Sequence, residues 1–225
     1  MSGLDLPEGA SRRLQRAARW IGPFVVRLPY RLRVHHRERV PESGPLVLVA
    51  NHSSLMDGPV LFATVPRSSV FLIKQEMFRG LLGRVLRGIG QIPVRRGEPD
   101  RTPLLAAVRV LRAGGLVGVF PEGTRGAGEV DSAQHGAAWL ARSSGARVLP
   151  VACRGTRRPV GRGRRLRPRV DVLFGEPVVV AAAKGRAGLT AATEQVRDEL
   201  VGLIAELDGL IAGTTGNDDV RGKRA

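Results

Sequence analysis

Residues Pro45–Asp57 read PLVLVANHSSLMD, and they join an apolar run of strand length directly to a histidine and a carboxylate. A short, continuous apolar run is typical of a strand buried on both faces. In one continuous helix, residues five apart lie about 140° from each other, so His52 and Asp57 would face different directions. We therefore expect a turn here, followed by a helix from Pro59 to Val65, since proline is favoured in a first helical turn.

His52 and Asp57 are a candidate general base and its orienting acid. Histidine is the side chain whose free pKa lies nearest neutral pH, and a carboxylate fixes its tautomer and stabilises its protonated form. Asp57 would lie in the favourable field of the following helix N-terminus and stay ionised. The alternative is that Asp57 merely caps that helix and His52 is an ordinary loop histidine.

Apolar runs of strand length alternate with helical patterns from about residue 41 to 180, which predicts an α/β fold with a mixed, largely parallel sheet flanked by helices. The predicted strands are 45–50, 69–74, 89–94, 115–120, 147–153 and 169–174. A helix between the second and third strands has an apolar stripe, which we expect to pack on the core. It consists of Met77, Phe78, Leu81, Leu82, Val85, Leu86 and Ile89. A last helix is predicted at about Leu189 to Ile211.

Composition favours one domain with short appendages, because 225 residues with 43% hydrophobic content can bury a sizeable core. We assign residues 1–40 to a basic, amphipathic membrane-surface segment, 41–212 to the main domain and 213–225 to a disordered tail. The basic segment holds Trp20, Phe24 and Tyr30 among arginines, typical of an interfacial anchor. Packing on the domain's own core is the alternative, and Pro23 is expected to break any long helix. We predict neither a signal peptide nor a transmembrane helix.

The formal net charge is +16, and nearly all the cations are arginine, which binds phosphate groups bidentately. A nucleic-acid partner is disfavoured by the few aromatic residues and the lack of a binding motif. The arginine-rich loop from Arg154 to Arg169 is a second candidate for contact with anionic lipid or an acidic protein. One cysteine, Cys153, ends an apolar run and is expected to be buried and inert. No metal site is predicted.

Two further loops follow predicted strands. Residues 121–126 read PEGTRG, in which glycines let backbone approach a ligand and Arg125 can bind a phosphate. Residues 90–97 read GQIPVRRG, in which the end of the predicted strand 89–94 is followed by two more arginines. Because the carboxyl ends of parallel strands meet at one sheet edge, these loops and His52 are expected to share a site.

Four ordered blocks resemble the glycerolipid acyltransferase family, which includes the 1-acylglycerol-3-phosphate acyltransferases. NHSSLMD resembles the first block, GQIPVRRG the second, FPEGTRG the third and VLPVACRGT the fourth, so the resemblance covers roughly residues 40 to 180. The chain departs from the family where Arg95 replaces a common acidic residue and Gln134 a common lysine. These departures put the acceptor in doubt more than the reaction.

The resemblance implies an O-acyltransferase in which His52 deprotonates an acceptor hydroxyl while Asp57 holds the imidazole. By the same resemblance, the acceptor would be bound by Arg96, Glu122, Gly123, Thr124 and Arg125. The expected acceptor is a lysophospholipid, 1-acylglycerol-3-phosphate, giving phosphatidate at the cytoplasmic face of the cell membrane. The donor would be acyl-CoA or acyl carrier protein, with no permanently bound cofactor. Two alternatives are another lysolipid or glycolipid acceptor, and a non-catalytic homologue that binds anionic membranes.

Overall fold

The structure is a computed structural model, and it describes residues 6–95, 100–121, 130–157, 166–180 and 185–222. Within these ranges the side chains of residues 130–134 and 215–222 are not described. All structural statements below concern the described part of the chain.

Seven strands form one sheet in the order β1-β7-β6-β2-β5-β3-β4, and six helices cover it. The strands are β1 (Arg31–His35), β2 (Leu46–Ala50), β3 (Ser69–Lys74), β4 (Ile92–Val94), β5 (Leu116–Val119), β6 (Arg147–Arg154) and β7 (Arg169–Phe174). The helices are α1 (Arg12–Arg27), α2 (Asp57–Thr64), α3 (Gly80–Gly88), α4 (Thr102–Arg112), α5 (Val130–Ser144) and α6 (Gly185–Gly222).

Neighbouring strands of this sheet pair in parallel except β6 and β7, which pair antiparallel. The prediction of a mixed, largely parallel α/β fold is therefore confirmed. Strand β2 lies between β6 and β5, and all five of its residues are buried. A strand with helices on both faces has no solvent-facing side chains, which explains its continuous apolar sequence.

The two faces of the sheet have separate cores. On one face, Leu48 of β2 packs with Val26 of α1 and Leu61 of α2. On the other face, Val49 packs with Leu111 of α4, and residues of α5 and α6 complete that cluster. The carboxyl ends of β2, β3, β5 and β6 meet at the same edge, since these strands run in parallel. We call this edge the carboxyl edge.

Strand β1 was not predicted, and it joins the sheet by pairing in parallel with β7. The sheet therefore begins within the segment 1–40 that the sequence assigned to a membrane-surface appendage. The sequence RLRVH was not recognised as a strand because arginines alternate with its apolar residues. Cations of this kind are typical of an exposed edge strand, where they oppose pairing with other chains.

Helix α1 spans Arg12–Arg27 with Pro23 inside it, so the expectation that Pro23 would prevent a long helix was wrong. A proline removes one backbone hydrogen bond, and a helix packed on a domain can tolerate that loss. Gln15 donates to the Ser69 carbonyl at 3.4 Å and Arg19 to the Pro66 carbonyl at 2.7 Å, which ties α1 to the loop after α2 and the start of β3. None of the described helices has the length and apolar character to cross a membrane.

The apolar stripe of α3 is exposed, which corrects the expectation that it packs on the core. Leu81 is 70% exposed, and Leu82 and Val85 are each 49% exposed. Phe78 alone of the predicted stripe is fully buried. The helix connects β3 to β4, a three-residue strand at the end of the sheet, so there is little sheet beyond it to cover.

The last helix is longer than predicted, because α6 runs from Gly185 to Gly222 instead of from Leu189 to Ile211. Residues 213–222 are therefore helical, whereas the sequence was interpreted as a disordered tail from residue 213. Polar residues such as Thr and Asn do not forbid helix. Once a helix is nucleated by packing, each further residue adds one backbone hydrogen bond at low cost.

Candidate active site

His52 lies just after β2, at the carboxyl edge of the sheet, and its neighbour Asn51 fixes where the strand ends. The Asn51 side chain accepts a hydrogen bond from the Cys153 N–H at 2.7 Å and donates one to the Cys153 carbonyl at 2.9 Å. Asn51 is 3% exposed, so this pair of bonds is shielded from water. These two bonds join the ends of β2 and β6 and fix the position of the backbone where the following turn begins.

Asp57 is the polar centre of that turn. One carboxylate oxygen, Oδ2, accepts from the backbone N–H groups of Ser53 at 2.6 Å and Ser54 at 2.8 Å. The other oxygen, Oδ1, accepts from the hydroxyl of Thr156, which follows β6. Asp57 is 0% exposed, and a buried carboxylate requires such a set of donors. The turn is therefore built around this one side chain.

The pKa of Asp57 lies below its ordinary value. Burial acts in the opposite direction and raises the pKa, but contacts with His52, Thr156 and the backbone N–H groups of Ser54 and Ser53 together outweigh it. Each of these groups stabilises the charged form of the carboxylate. Asp57 is thus ionised at neutral pH, as the sequence predicted, although hydrogen bonding within the turn is the main reason.

The imidazole of His52 is held on two sides. Its Nδ1 lies 3.2 Å from Asp57 Oδ2, and the ring packs on Phe120 with 4.5 Å between centroids. Nδ1 is shielded from solvent, while the side chain as a whole is 26% exposed. Because Nδ1 lies next to the carboxylate, Nε2 is the nitrogen that would take a substrate proton if the imidazole acts as a general base.

The capping alternative does not describe this geometry. Asp57 is the first residue of α2, and its carboxylate binds N–H groups that precede the helix rather than those of its first turn. Ser53 and Ser54 make contacts within the loop: the Ser54 hydroxyl accepts from the Met56 N–H at 3.2 Å. The arrangement can hold an imidazole ready to accept a proton from a bound alcohol.

The other predicted site residues, Arg96 and Glu122 with Gly123, Thr124 and Arg125, lie outside the described residues, and so does the side chain of Gln134. Their neighbours are described. Arg95 follows β4 and is exposed, and Phe120, which follows β5, contacts the His52 ring.

Cys153 is buried, as predicted, and burial raises the pKa of its thiol. The described ends of the arginine-rich loop make internal contacts. Arg154 forms a bidentate pair with Asp208 of α6, Arg169 binds Asp171, and Arg167 donates to the Arg27 carbonyl. These three arginines therefore serve the fold, while residues 158–165 of that loop lie outside the description.

Three residues of the site were given no role from the sequence: Asn51, Phe120 and Thr156. Asn51 stands at the end of an apolar strand, where a polar side chain must find a partner, and that was a usable signal. Phe120 follows β5 and Thr156 follows β6. Phe120 begins the block FPEGTRG and Thr156 ends the block VLPVACRGT, and the resemblance of these blocks to the family was the usable signal. Within the described residues no three His, Cys, Asp or Glu side chains are placed to hold a metal ion.

The acyltransferase family model matches residues 31–154, which are more than half of the chain. The matched region contains β1 through β6 and therefore both His52 and Asp57.

Two curated relatives differ in acceptor. A 1-acyl-sn-glycerol-3-phosphate acyltransferase of Bacillus subtilis is 27% identical over 186 residues, covering 80% of this chain and 91% of the relative. A lyso-ornithine lipid O-acyltransferase of Pseudomonas aeruginosa is 34% identical over 142 residues, covering 61% of this chain and 53% of the relative. Among solved structures, the 1-acyl-sn-glycerophosphate acyltransferase PlsC of Thermotoga maritima gives a TM-score of 0.66 at 28% identity, over 86% of this chain and 79% of that one.

Proposed function

The chain belongs to the acyltransferase family, and on that premise we propose that it transfers a fatty acyl group from an acyl thioester to the free hydroxyl of 1-acylglycerol-3-phosphate, producing phosphatidate. The observation that carries this proposal is the contact between His52 Nδ1 and the buried carboxylate of Asp57. It pairs an imidazole with a buried carboxylate, as a general base requires, in a chain whose relatives named above are lysolipid acyltransferases.

In the proposed reaction, His52 Nε2 takes the proton of the acceptor hydroxyl as its oxygen attacks the thioester carbonyl. The imidazolium that forms is stabilised by Asp57, whose lowered pKa keeps it ionised. The C–S bond then breaks, and the departing thiolate takes up the proton. Atoms balance without a covalent acyl-enzyme, so Ser53 and Ser54 need not be nucleophiles.

The acceptor phosphate is proposed to bind Arg96, Glu122, Gly123, Thr124 and Arg125. The support is their position in the chain: residues 122–125 come soon after Phe120, which contacts the His52 ring. Arg96 follows β4, which is separated from β2 by β5 and β3. At about 4.8 Å between neighbouring strands, the end of β4 lies about 14 Å from the end of β2, which His52 follows. A long arginine side chain and a bound headgroup together can span that distance.

Replacing His52 with alanine tests the reaction. We expect kcat to fall on the order of 10²- to 10⁴-fold, because the general base is lost. His36→Asn is the matched control, since His36 is an exposed histidine of the same chain with a positive φ of 54° that asparagine tolerates. Purified protein, mixed acyl thioesters and lysophosphatidate, with products identified by mass, give the readout and also distinguish acyl-CoA from acyl carrier protein as donor.

Wild-type turnover in the His52→Ala protein would refute the mechanism. Vesicle binding by the wild-type protein without any transfer or thioester hydrolysis would instead favour a non-catalytic membrane-binding homologue.

A second candidate acceptor is a lysolipid without a glycerol phosphate head. The relative from Pseudomonas aeruginosa, named for a lyso-ornithine lipid, supports it, and so does Arg95, which replaces a common acidic residue next to the proposed phosphate ligand. An acceptor panel that includes both lipids decides between them. Exclusive acylation of the lyso-ornithine lipid would move the proposal to this second acceptor.

We further propose that the protein works at the cytoplasmic face of an anionic membrane, with α1 as its anchor. Trp20 is 72% exposed and Phe24 71%, both on the side of α1 that faces away from the domain, and Leu28, which caps the end of α1, is 79% exposed. Exposed arginines flank them, an arrangement that suits the boundary between lipid headgroups and acyl chains. The anchored helix would hold the enzyme where its acceptor resides.

A further inference from the structure

Helix α3 presents a second unpartnered apolar surface, which we call the α3 face and define as Leu81, Leu82 and Val85. Their exposures of 70%, 49% and 49% are those of surface residues, although all three are large and apolar. Residues 81, 82 and 85 share one side of a helix, so the exposed groups form a single stripe. A stripe of this kind on a soluble domain usually marks a contact with something else.

The charges around the α3 face are positive. Arg79, Arg84 and Arg87 are all exposed, and α3 itself contains no acidic residue. Arg87 also packs over the Phe78 ring, with its guanidinium carbon 5.6 Å from the ring centroid. The nearest acidic group in sequence is Glu76, in the turn before the helix. An apolar stripe with exposed arginines on the same helix complements an anionic lipid surface.

The α3 face adjoins the exposed side of α1. The Ser11 N–H at the start of α1 donates to the Gly88 carbonyl at the end of α3, at 2.8 Å. Gly88 closes this contact tightly, because a Cβ there would lie 3.0 Å from a methyl carbon of Leu14. Leu14 is itself 54% exposed, so apolar surface continues from one helix to the other.

We propose that the α3 face is a second membrane-binding element, which seats together with α1 on an anionic bilayer and fixes the orientation of the enzyme. A single surface helix leaves the protein free to rotate about the helix axis, whereas two separate contacts remove that freedom. Helix α3 follows β3, which ends at the same carboxyl edge as β2 and is separated from β2 by β5 alone. Seating α3 therefore turns the catalytic edge toward the lipid; this benefit rests on the proposed function, but the binding itself does not.

A bilayer fits this surface better than a protein partner does. The stripe joins an α1 surface that carries Trp20 and Phe24, residues typical of a membrane interface. The formal net charge of +16 adds attraction to an anionic bilayer over the whole molecule. A second copy of this chain would carry the same positive charge and be repelled.

The test compares two triple variants of the full chain. The first is Leu81→Gln, Leu82→Gln and Val85→Gln, which keeps good helix formers on α3. The matched control is Leu105→Gln, Val201→Gln and Leu210→Gln on α4 and α6, where exposures are 52%, 56% and 41%. Both are measured by sedimentation with vesicles of phosphatidylglycerol and phosphatidylcholine, and with phosphatidylcholine alone.

We expect the α3 variant to lose about tenfold or more in partitioning to anionic vesicles, and the control to bind like the wild type. Transfer to a detergent-dispersed acceptor should be unchanged in both variants, since neither touches the site.

Equal vesicle binding by the α3 variant and the wild type would overturn the proposal, and so would an equal loss in the control. It would also be overturned if the variant instead lost binding to acidic acyl carrier protein, or shifted from dimer to monomer on gel filtration. Vesicle binding by the His52→Ala protein separates the two proposals, because failure of catalysis leaves that binding intact.

Discussion

The turn of residues 51–57 and the outer sides of α1 and α3 distribute polarity in opposite ways. In the turn, a carboxylate is 0% exposed and its oxygens bind donors from within the protein. On the helices, Trp20 is 72% exposed and Leu81 70%. A buried charge lowers folding stability, and an exposed large apolar side chain adds little to it. Stability therefore explains neither feature, and each needs another explanation. The partners of the turn lie inside the protein, whereas for the two helices we propose a partner outside it.

Asp57→Asn should produce the largest effect. Asparagine keeps the size of the side chain but places an N–H₂ group where at least one internal donor now points, and it removes the charge that stabilises the imidazolium. We expect kcat to fall on the order of 10²- to 10⁴-fold and the free energy of unfolding by about 1–3 kcal/mol. Steady-state kinetics and urea unfolding measure the two. Unchanged kinetics would show that the turn is built for stability alone.

Thr156→Val should have an intermediate effect, because valine keeps the shape but cannot donate to Asp57 Oδ1. Loss of that hydrogen bond should lower kcat about tenfold, which corresponds to about 1.4 kcal/mol. Thr156→Ser retains the hydroxyl and should restore most of the rate. A serine protein as impaired as the valine protein would show that the methyl group matters and the hydrogen bond does not.

The acid dependence of stability tests the charge of Asp57. Because its pKa is lowered in the folded protein, its contribution is present above its unfolded pKa of about 3.9 and is lost as the pH falls through the folded pKa. The difference in unfolding free energy between wild type and Asp57→Asn should therefore narrow below about pH 4. Urea unfolding at pH 7 and at pH 3 measures it. If the difference were the same at both pH values, the loss of stability in Asp57→Asn would come from packing and not from charge.

The smallest expected effect is on the helices. Phe24→Gln on α1 and Val85→Gln on α3 should each change the unfolding free energy by no more than about 0.5 kcal/mol, because neither side chain is buried. Leu48→Ala, at a position that is 0% exposed, is the contrast and should cost about 2–5 kcal/mol. A large loss of unfolding free energy in the Phe24 or Val85 variant would show that these side chains pack within the protein. The helices would then not differ from the turn in where their contacts lie.

The strands of the sheet interior could be predicted because their signal is local. The run at 45–50 is apolar over its whole length, and the run at 169–174 is apolar apart from Arg169 and Asp171; both are strands within a residue of the predicted bounds. The prediction failed where neighbours decide the outcome. Strand β1 owes its conformation to pairing with β7, which lies far along the chain. The stripe of α3 has the period of a buried helix, and periodicity cannot tell whether anything covers it.

The sequence by itself determined the α/β class, the position of the turn after β2 and the pairing of His52 with Asp57. These follow from patterns within a few residues, since a strand, a turn and a short contact are all local. Tertiary structure alone decided that Thr156 reaches Asp57, that Phe120 supports the imidazole, and that α3 leaves its apolar stripe in solvent. Each of these depends on which segments, far apart in the sequence, meet across the sheet. Local sequence patterns do not specify the distance between such segments.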